Sequence, residues 1–485
     1  MNIKNALEVI AKQSYKEIAQ LFTTNAPSFE VSQEEAIKQY KVADHDIFDE
    51  NYRQKKKIVK GYGDTSSAAT EKTIIDYIDP ARIGMSFQQL IVDRRVGFML
   101  NIPVKINPVY ESESDKEKTL VNSVEWILNN NKMNYKNKEI ARRLMSEMEC
   151  AEVWYFVETG KAKPRYTLKC NIWSPDLGDK LYPLFDSTGD MIAFARSYKL
   201  KEEDNKDVDH YDVYTNDYEY RYVNRDNVWK LDDLVEVVTP EGVKNINPIP
   251  NALKKIPVIY HSQKRPEWSD VASMIKRLED SVSNHADMND YFGSPILAVV
   301  GEILGFAQKG EQGKILQLAE NAQANYLALN SPPESIKMEQ DNLRDLIYTL
   351  SQTPDISFSA MKGMGTIAQF TMKAFFMDAH LAVSKKEEIF GMGLQRRFNI
   401  IKAAIGKVIN TSLEREAEAV QLIPEITPYL PQNDTEVIDN ITVARTGGIL
   451  SKETAVEINP LVEDPETEME RLKDDTTNQM TGFEV

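Results

Sequence analysis

The sequence predicts an α+β protein. Residues 151–260 alternate apolar and polar side chains with a period of two, in runs such as AEVWYFVE, RYTLKCNIW and HYDVYTNDYEYRYVN, whereas the text on both sides places apolar residues at helical spacing. From Thr366 to Ile409 the chain runs without proline in one helical pattern; roughly 40 residues at 1.5 Å per residue would span about 60 Å, longer than a small domain is wide.

Taken in order, residues 1 to about 60 read as polar helices forming a peripheral arm that ends in the basic stretch RQKKKIVK and the loop GYGDTSSAAT. The opening MNIKNALEVIAKQSYKEIAQLF carries Glu8, Lys12 and Glu17 where a secretion signal needs an apolar core, so it reads as an amphipathic helix of a cytoplasmically made protein. ARIGMSFQQLIVDRRVGFMLNIPVKINP predicts a helix stopping at Asn101 and a short strand, IPVKI; helices follow at about 115–130 and 136–149. The β block comes next, with turns at DSTGD and TPEG. After Pro266 a helix is expected with Ser269 as N-cap and Val271, Ile275, Leu278 and Val282 on its apolar face, stopping at Gly293-Ser294-Pro295. A small β-like insert (ILAVVGEI, NYLALNSPP) separates it from a second helix at about 336–350. TPDISFSAMKGMG (353–365) is a loop by composition. Gly391 and Gly393 are candidate bend points in the long helix. Its Phe370, Phe375, Phe376, Met377, Phe390, Met392 and Phe398 read as core and subunit packing rather than a ligand box, in a helix too long to bury them within one subunit. Arg396 and Arg397 are expected in intersubunit ion pairs. The end of the chain shows short helices, a GGILSKET turn and cap, and the acidic DPETEMERLKDD.

Composition narrows the function. The 42% apolar content of 485 residues supports a sizeable core, and the longest apolar runs fall far short of a membrane span. Cys150 and Cys170 are expected as reduced thiols in core or strand positions. A net charge of −17 argues against a protein that clamps DNA over its general surface, because that binding is driven by cations displacing counterions from phosphates. The charge is uneven: residues 410–485 hold 17 acidic and 5 basic side chains, residues 360–407 hold 8 basic and 3 acidic. The nearest approach to a phosphate-binding P-loop, QKGEQGKI, has Gln308 where glycine is required and Ile315 after Lys314. No HExxH or GxSxG occurs, and His45, His210, His261, His285 and His380 are scattered. Acidic pairs such as Asp232-Asp233 and Asp474-Asp475 read as solvated faces rather than metal ligands. No catalytic residue, cofactor or metal is expected.

Several segments, in order, resemble the portal proteins of tailed bacteriophages, especially those of long-tailed phages of Gram-positive hosts. QLIVDRRVGFMLNIPVKI is similar to that family's "IVD, then GYLLGxPV" stretch. IPVIYHSQKRPEWSDVASMIKRLEDSVSNHADMNDYFGSPILAVVG resembles its "IPVI, SD, LIDAYN, SDxxN, ILxxxG" block, with Ser269-Asp270, Leu278-Glu279-Asp280 and Asp287-Met288-Asn289 at the matching places. TLSQTPDISF, FGMGLQRRFNII and GILSKETAVEINPLVEDPETEMERL complete the set. The family's "GNxSGxA" appears as MKGMGTIA, without the Asn and Ser, and its "NN.I" as ARI.

The resemblance implies a portal fold: arm and wing (1–268), a stem of two helices (269–293 and 334–352) carrying Ser269, Asp270, Leu278, Asp280 and Asn289, a small α/β clip between them (294–333), a tunnel loop (353–365), a long wing helix (366–409) and a helical crown with an acidic tail (410–485). It also implies a ring of twelve copies at one capsid vertex, assembled in the host cytoplasm and retained in the virion. Duplex DNA would pass through weakly and non-specifically. The terminase, head-completion or adaptor proteins, and the major capsid or scaffold protein would be its partners, and no membrane is involved. Tyr326 and Leu327 would serve partner binding on the clip; Ser359, Met361, Lys362, Gly363, Met364 and Gly365 match the tunnel loop, where Lys362 is either a solvated lysine or a DNA-facing one. A head-tail adaptor or minor capsid protein that binds protein partners only is the alternative, and a nuclease using the acidic clusters a third reading.

Overall fold

The computed structural model describes residues 3–59, 74–160, 164–201, 206–233, 236–239, 242–292, 296–300, 303–305, 317–318, 323–327, 333–357, 376–429, 434–462 and 464–481. Helices α1 (Ile3–Ala11), α2 (Tyr15–Thr24) and α3 (Gln33–Tyr40) lead to a strand pair, β1 (Lys56–Val59) with β2 (Ile74–Ile78). Then come α4 (Phe87–Leu100), β3 (Lys105–Val109), α5 (Asp115–Asn130) and α6 (Met133–Glu147). Ser114 starts α5 with a reciprocal capping box: its hydroxyl accepts from Glu117 N–H and the Glu117 carboxylate accepts from the Ser114 backbone.

The β block divides into two sheets. One has the order β14-β4-β5, from β4 (Glu149–Glu158), β5 (Tyr166–Trp173) and β14 (Val258–Ser262). The other has the order β10-β9-β8-β7-β6, with β6 (Lys180–Phe185), β7 (Met191–Lys201), β8 (Asp207–Tyr214), β9 (Tyr218–Arg225) and β10 (Val228–Leu231); β13 (Ile249–Pro250) pairs with β9. A separate hairpin joins β11 (Glu236–Thr239) to β12 (Gly242–Asn245). Alternation sorts the larger sheet's faces: Ala193 and Ala195 of β7 face one cluster with Tyr211, Val213, Tyr220 and Tyr222, while Phe194 faces another with Trp173, Tyr214 and Val258. The first of these clusters is completed by Ala6, Ile10, Ile18, Leu21 and Phe22 of α1 and α2, and Tyr15 stacks on Trp229 at 4.0 Å. The N-terminal helices are therefore not a peripheral arm. Their apolar face covers a sheet face that would otherwise meet water.

Past the sheets run α7 (Ala272–Phe292), an insert of paired strands, β15 (Ile296–Val300) with β18 (Gln323–Leu327) and β16 (Ile303–Gly305) with β17 (Gln317–Leu318), and then α8 (Pro333–Leu350). Helix α9 (Met377–Ala404) continues into a π-turn at Ile405–Ile409 and is followed by α10 (Glu414–Ala419), β19 (Gln421–Glu425, paired with β3), α11 (Asp434–Thr446), α12 (Lys452–Glu457) and α13 (Pro465–Thr481). Ser451 caps α12 by accepting from Thr454 N–H, as GGILSKET predicts. Among the described residues no helix is long and apolar enough to cross a membrane. Cys150 and Cys170 are free, buried and on adjacent strands, and burial raises both thiols, Cys170 to about 12.

The long helix differs from its expectation in three ways. Residues 366–375 lie outside the described residues; the described helix starts at Met377, after Phe376, whose dihedrals are non-helical and whose buried ring lies 5.2 Å from that of Phe98. Gly391 and Gly393 lie within continuous helix; Gly393 serves contact rather than bending, since a Cβ there would sit 2.1 Å from Cε1 of His261. Phe376, Phe390 and Phe398 are buried within this one chain, because α9 packs on β14, α4 and α5 rather than standing free.

Arg396 and Arg397 also turn inward. Arg397, 1% exposed, donates through Nε and Nη2 to Glu152 Oε2 (2.8 Å) and Oε1 (2.7 Å), and through Nη1 to Asn137 (2.7 Å). His261 Nε2 lies 2.9 Å from Glu152 Oε1, and its ring stacks on Phe390. Burial would raise the Glu152 carboxyl, but Arg397 and His261 outweigh it and hold it at about 2. Arg396 donates to the Val258 carbonyl at 3.2 Å. These arginines fasten the helix to the sheet inside one subunit.

Glu152→Gln, which leaves Arg397 with a neutral acceptor, is expected to cost about 3–5 kcal/mol. Gly393→Ala should cost about 1–3 kcal/mol, because His261 cannot retreat without leaving Glu152. Guanidinium unfolding followed by the fluorescence of buried Trp154 and Trp268 tests both; an unchanged midpoint in either variant contradicts the account.

Candidate functional site

The pair of helices expected as a stem, α7 and α8, forms the best-defined candidate site. Leu278 joins Val271, Ile275 and Ile347 in the main core, with Val282 and Leu343 packed against it. Helix α8 returns to touch the 3-10 turn at Ser269–Val271 that precedes α7, so the pair is antiparallel. Arg277 Nη2 meets Glu339 at 2.8 Å across it. Ser269 is not an N-cap: it lies within that turn and makes no capping bond, because Trp268 enters the core and starts the turn instead. Trp268 stacks on Tyr40 and donates to Gln39. Asp270 accepts two bonds from Arg265 (2.5 and 3.0 Å), Asp280 accepts from the Tyr52 hydroxyl (2.8 Å), and Asn289 is exposed.

The opposite side of α7 holds a polar strap that sequence reasoning missed. Asp46 bridges Lys276 (2.6 Å) and Lys38 (2.5 Å), and His45 Nδ1 lies 2.7 Å from Glu279 Oε1, which also accepts from Met85 N–H. The Ser283 hydroxyl accepts from Ile83 N–H. Asp287 closes the series by accepting from Arg53 (2.6 Å), Lys56 (2.9 Å) and Ala81 N–H (2.8 Å). Positions 276, 279, 280, 283, 284 and 287 repeat at helical spacing, so each turn of α7 grips residues 45–56 or 81–85. The spacing and the basic RQKKK run were the available signals. Burial would raise Asp287, but the Ala81 N–H, Lys56 and Arg53 outweigh it and lower its pKa.

Of the other expected site residues, Ser359, Met361, Lys362, Gly363, Met364 and Gly365 lie outside the described residues, as do Phe370 and Phe375. Tyr326 and Leu327 lie on β18, opposite Leu297 and Ile296 of β15; their side chains also fall outside the description. Among the described residues no group of three His, Cys, Asp or Glu side chains could hold a metal ion. Two apolar strips are exposed among the described residues: Met338, Leu346 and Leu350 on α8, and Met377, Leu381 and Met392 on α9.

The strap yields two expectations. Burial pulls the His45 pKa down, but the Glu279 carboxylate, the Gln39 carbonyl and Asp46 outweigh it, so the folded value lies above the ordinary one. Its stabilisation is therefore complete below the unfolded pKa and is lost as pH rises through the folded value. The stability difference between the parent and His45→Gln should shrink from pH 6 to pH 9; a constant difference contradicts the pairing. Asp287→Asn should speed tryptic cleavage after Arg53 and Lys56 by about tenfold at pH 8, since a charged acceptor is lost; an unchanged digestion rate means the strap is held otherwise.

Comparison with known proteins bears out the resemblance to phage portal proteins. The sequence model of the family described as "Phage portal protein, SPP1 Gp6-like" matches residues 31–481. The portal protein of Bacillus phage SPP1 is 24% identical over 310 residues, 60% of this chain and 58% of that protein, so the match spans little more than half the relative's length. Among solved structures, a chain from the neck of an empty GTA particle covers 77% of this chain and 88% of its own, with a TM-score of 0.41 and 10% identity. One from the virion of a native gene transfer agent particle covers 93% and 97%, with a TM-score of 0.42 and 9% identity. With a family match across nearly its whole length, the chain belongs to the SPP1 Gp6-like family of phage portal proteins.

Proposed function

We propose that this chain is the subunit of a ring at one capsid vertex, the channel through which duplex DNA is packaged and ejected and the platform on which terminase and then head-completion proteins dock. The observation that carries the reading is the family match over 31–481 together with an antiparallel helix pair that brackets a small β insert. In this reading α7 and α8 are the stem, the 294–333 insert the clip, 353–365 the tunnel loop, and 410–485 the crown. Subunits pack side by side, most simply twelve to a ring, through the apolar strips of α8 and α9 that one chain leaves in water. The ring sits in the virion after assembly in the host cytoplasm, with the capsid or scaffold protein around it.

The charge distribution suits a conduit. A duplex that must slide through many helical turns is slowed by dense phosphate neutralisation and kept centred by an acidic wall. The excess of acids in 410–485, multiplied around a ring, repels packed DNA, while Lys362 is the single cation of the tunnel-loop stretch 359–365 and touches phosphates in passing. Gly363 and Gly365 give that loop its backbone freedom. Tyr326 and Leu327 face the docking partners on the clip.

End-on negative-stain images of the purified protein should show rings with a hole wide enough for duplex DNA, and sedimentation should show a species many times the 55.3 kDa chain. Met392→Asp with Leu381→Asp should shift it towards monomer. A stable monomer at every salt concentration in the parent protein overturns the ring. Lys362→Ala should leave rings intact and alter DNA packaging or retention, and Tyr326→Ala should leave rings intact and impair motor docking; normal packaging by either variant removes that residue's role.

A further inference from the structure

The π-turn at Ile405–Ile409 sits over a cavity of about 290 Å³ between the end of α9 and α10, lined by Lys255, Lys402, Lys407, Gly406, Glu414 and Glu418 among others. The i to i+5 bond from Asn410 N–H to the Ile405 carbonyl (2.8 Å) widens the winding and turns Lys407 towards the cavity that Lys402 lines, two residues five apart that a regular α-helix would send in different directions. Gly406 keeps the wall thin: a Cβ there would meet Glu414 Cα at 3.0 Å and Ala417 Cβ at 3.1 Å.

Lys402 is the anomaly. It is 7% exposed, spends one N–H on the Val420 carbonyl at 2.6 Å, and has no carboxylate in ion-pair range among the described residues. A buried ammonium normally has a counter-charge. Lys407 donates only to the Leu253 carbonyl, and neither it nor Lys255 forms an ion pair among the described residues. Burial and then its neighbour Lys255 lower the Lys402 pKa, and burial followed by Lys407 and Arg396 lowers that of Lys255. The cations thus crowd one another around an open space. Glu414 and Glu418 are exposed and line the same cavity, and Glu418 opposes the lowering of the Lys255 pKa without reversing it.

We propose that this cavity is a binding site for a small oxyanion of the phosphate class, either the free ion or the phosphoryl group of a mononucleotide, held by Lys402, Lys255 and Lys407. The occupant ties the end of α9 and the π-turn to the segment before β14 that carries Lys255. The inference does not depend on the channel reading.

The assembled protein, exchanged into chloride buffer, is titrated with inorganic phosphate and with AMP at constant ionic strength and followed by 31P line broadening and calorimetry. Saturable binding is expected with a Kd of about 1 mM or below, the strength a few charge-assisted hydrogen bonds give a small ion. Lys402→Met should weaken it at least tenfold, and Lys255→Gln, on an exposed side chain that folding does not need, should weaken it severalfold. Tighter binding of AMP assigns the phosphoryl group of a nucleotide; equal or weaker binding assigns the free ion. The proposal is overturned by the absence of saturation, by binding that Lys402→Met and Lys255→Gln both leave unchanged, or by displacement of phosphate by chloride at equal concentration.

Discussion

The described fold depends on one buried charge cluster. Glu152 on β4 receives Arg397 from α9 and His261 from β14, and Asn137 on α6 takes the remaining described donor of the guanidinium. Three elements, β4, β14 and α9, therefore meet at one carboxylate, and α6 joins them through Arg397. Such a cluster is costly to desolvate and is tolerated only with near-complete pairing, so it fixes the rotation of α9 on the sheet more than it adds net stability. Gly393 is part of the same constraint, because the imidazole occupies the space a side chain would take.

Around that anchor the chain uses apolar and polar fastenings for different jobs. The sheet faces and the inner side of α7 are closed by Trp, Phe, Leu and Ile, which determine how close the elements come. The other side of α7 is closed by the strap of charged and amide pairs from residues 38–56 and 81–85, whose directional contacts set the register of an N-terminal segment with few apolar residues. Helix α7 is thus held on both sides, while Met338, Leu346 and Leu350 on α8 are exposed among the described residues.

Charge follows the same division of labour. Arg396 and Arg397, which sequence order suggests for a subunit boundary, are consumed inside the chain, and Lys255, Lys402 and Lys407 collect by the π-turn. The chain as a whole is acidic, with a net charge of −17.

The sequence by itself determined the α+β class, the position of the β block, the α4 helix with its following strand, the helix pair around a β insert, the Ser451 cap and the family, because these rest on local periodicity, turn chemistry and the order of motifs. It could not show that α1 and α2 cover a sheet nearly two hundred residues away, since an amphipathic helix carries no address for its apolar face. Gly393 looked like a hinge and Arg397 like a surface cation for a related reason: what each residue does depends on His261 and Glu152, distant in sequence and adjacent only after β4, β14 and α9 have packed. Ser269 had the chemistry of a cap, but burial of the large Trp268 side chain set the turn. Local pattern decides which elements form, whereas the partners of a buried charge or a bare glycine are decided by tertiary packing alone.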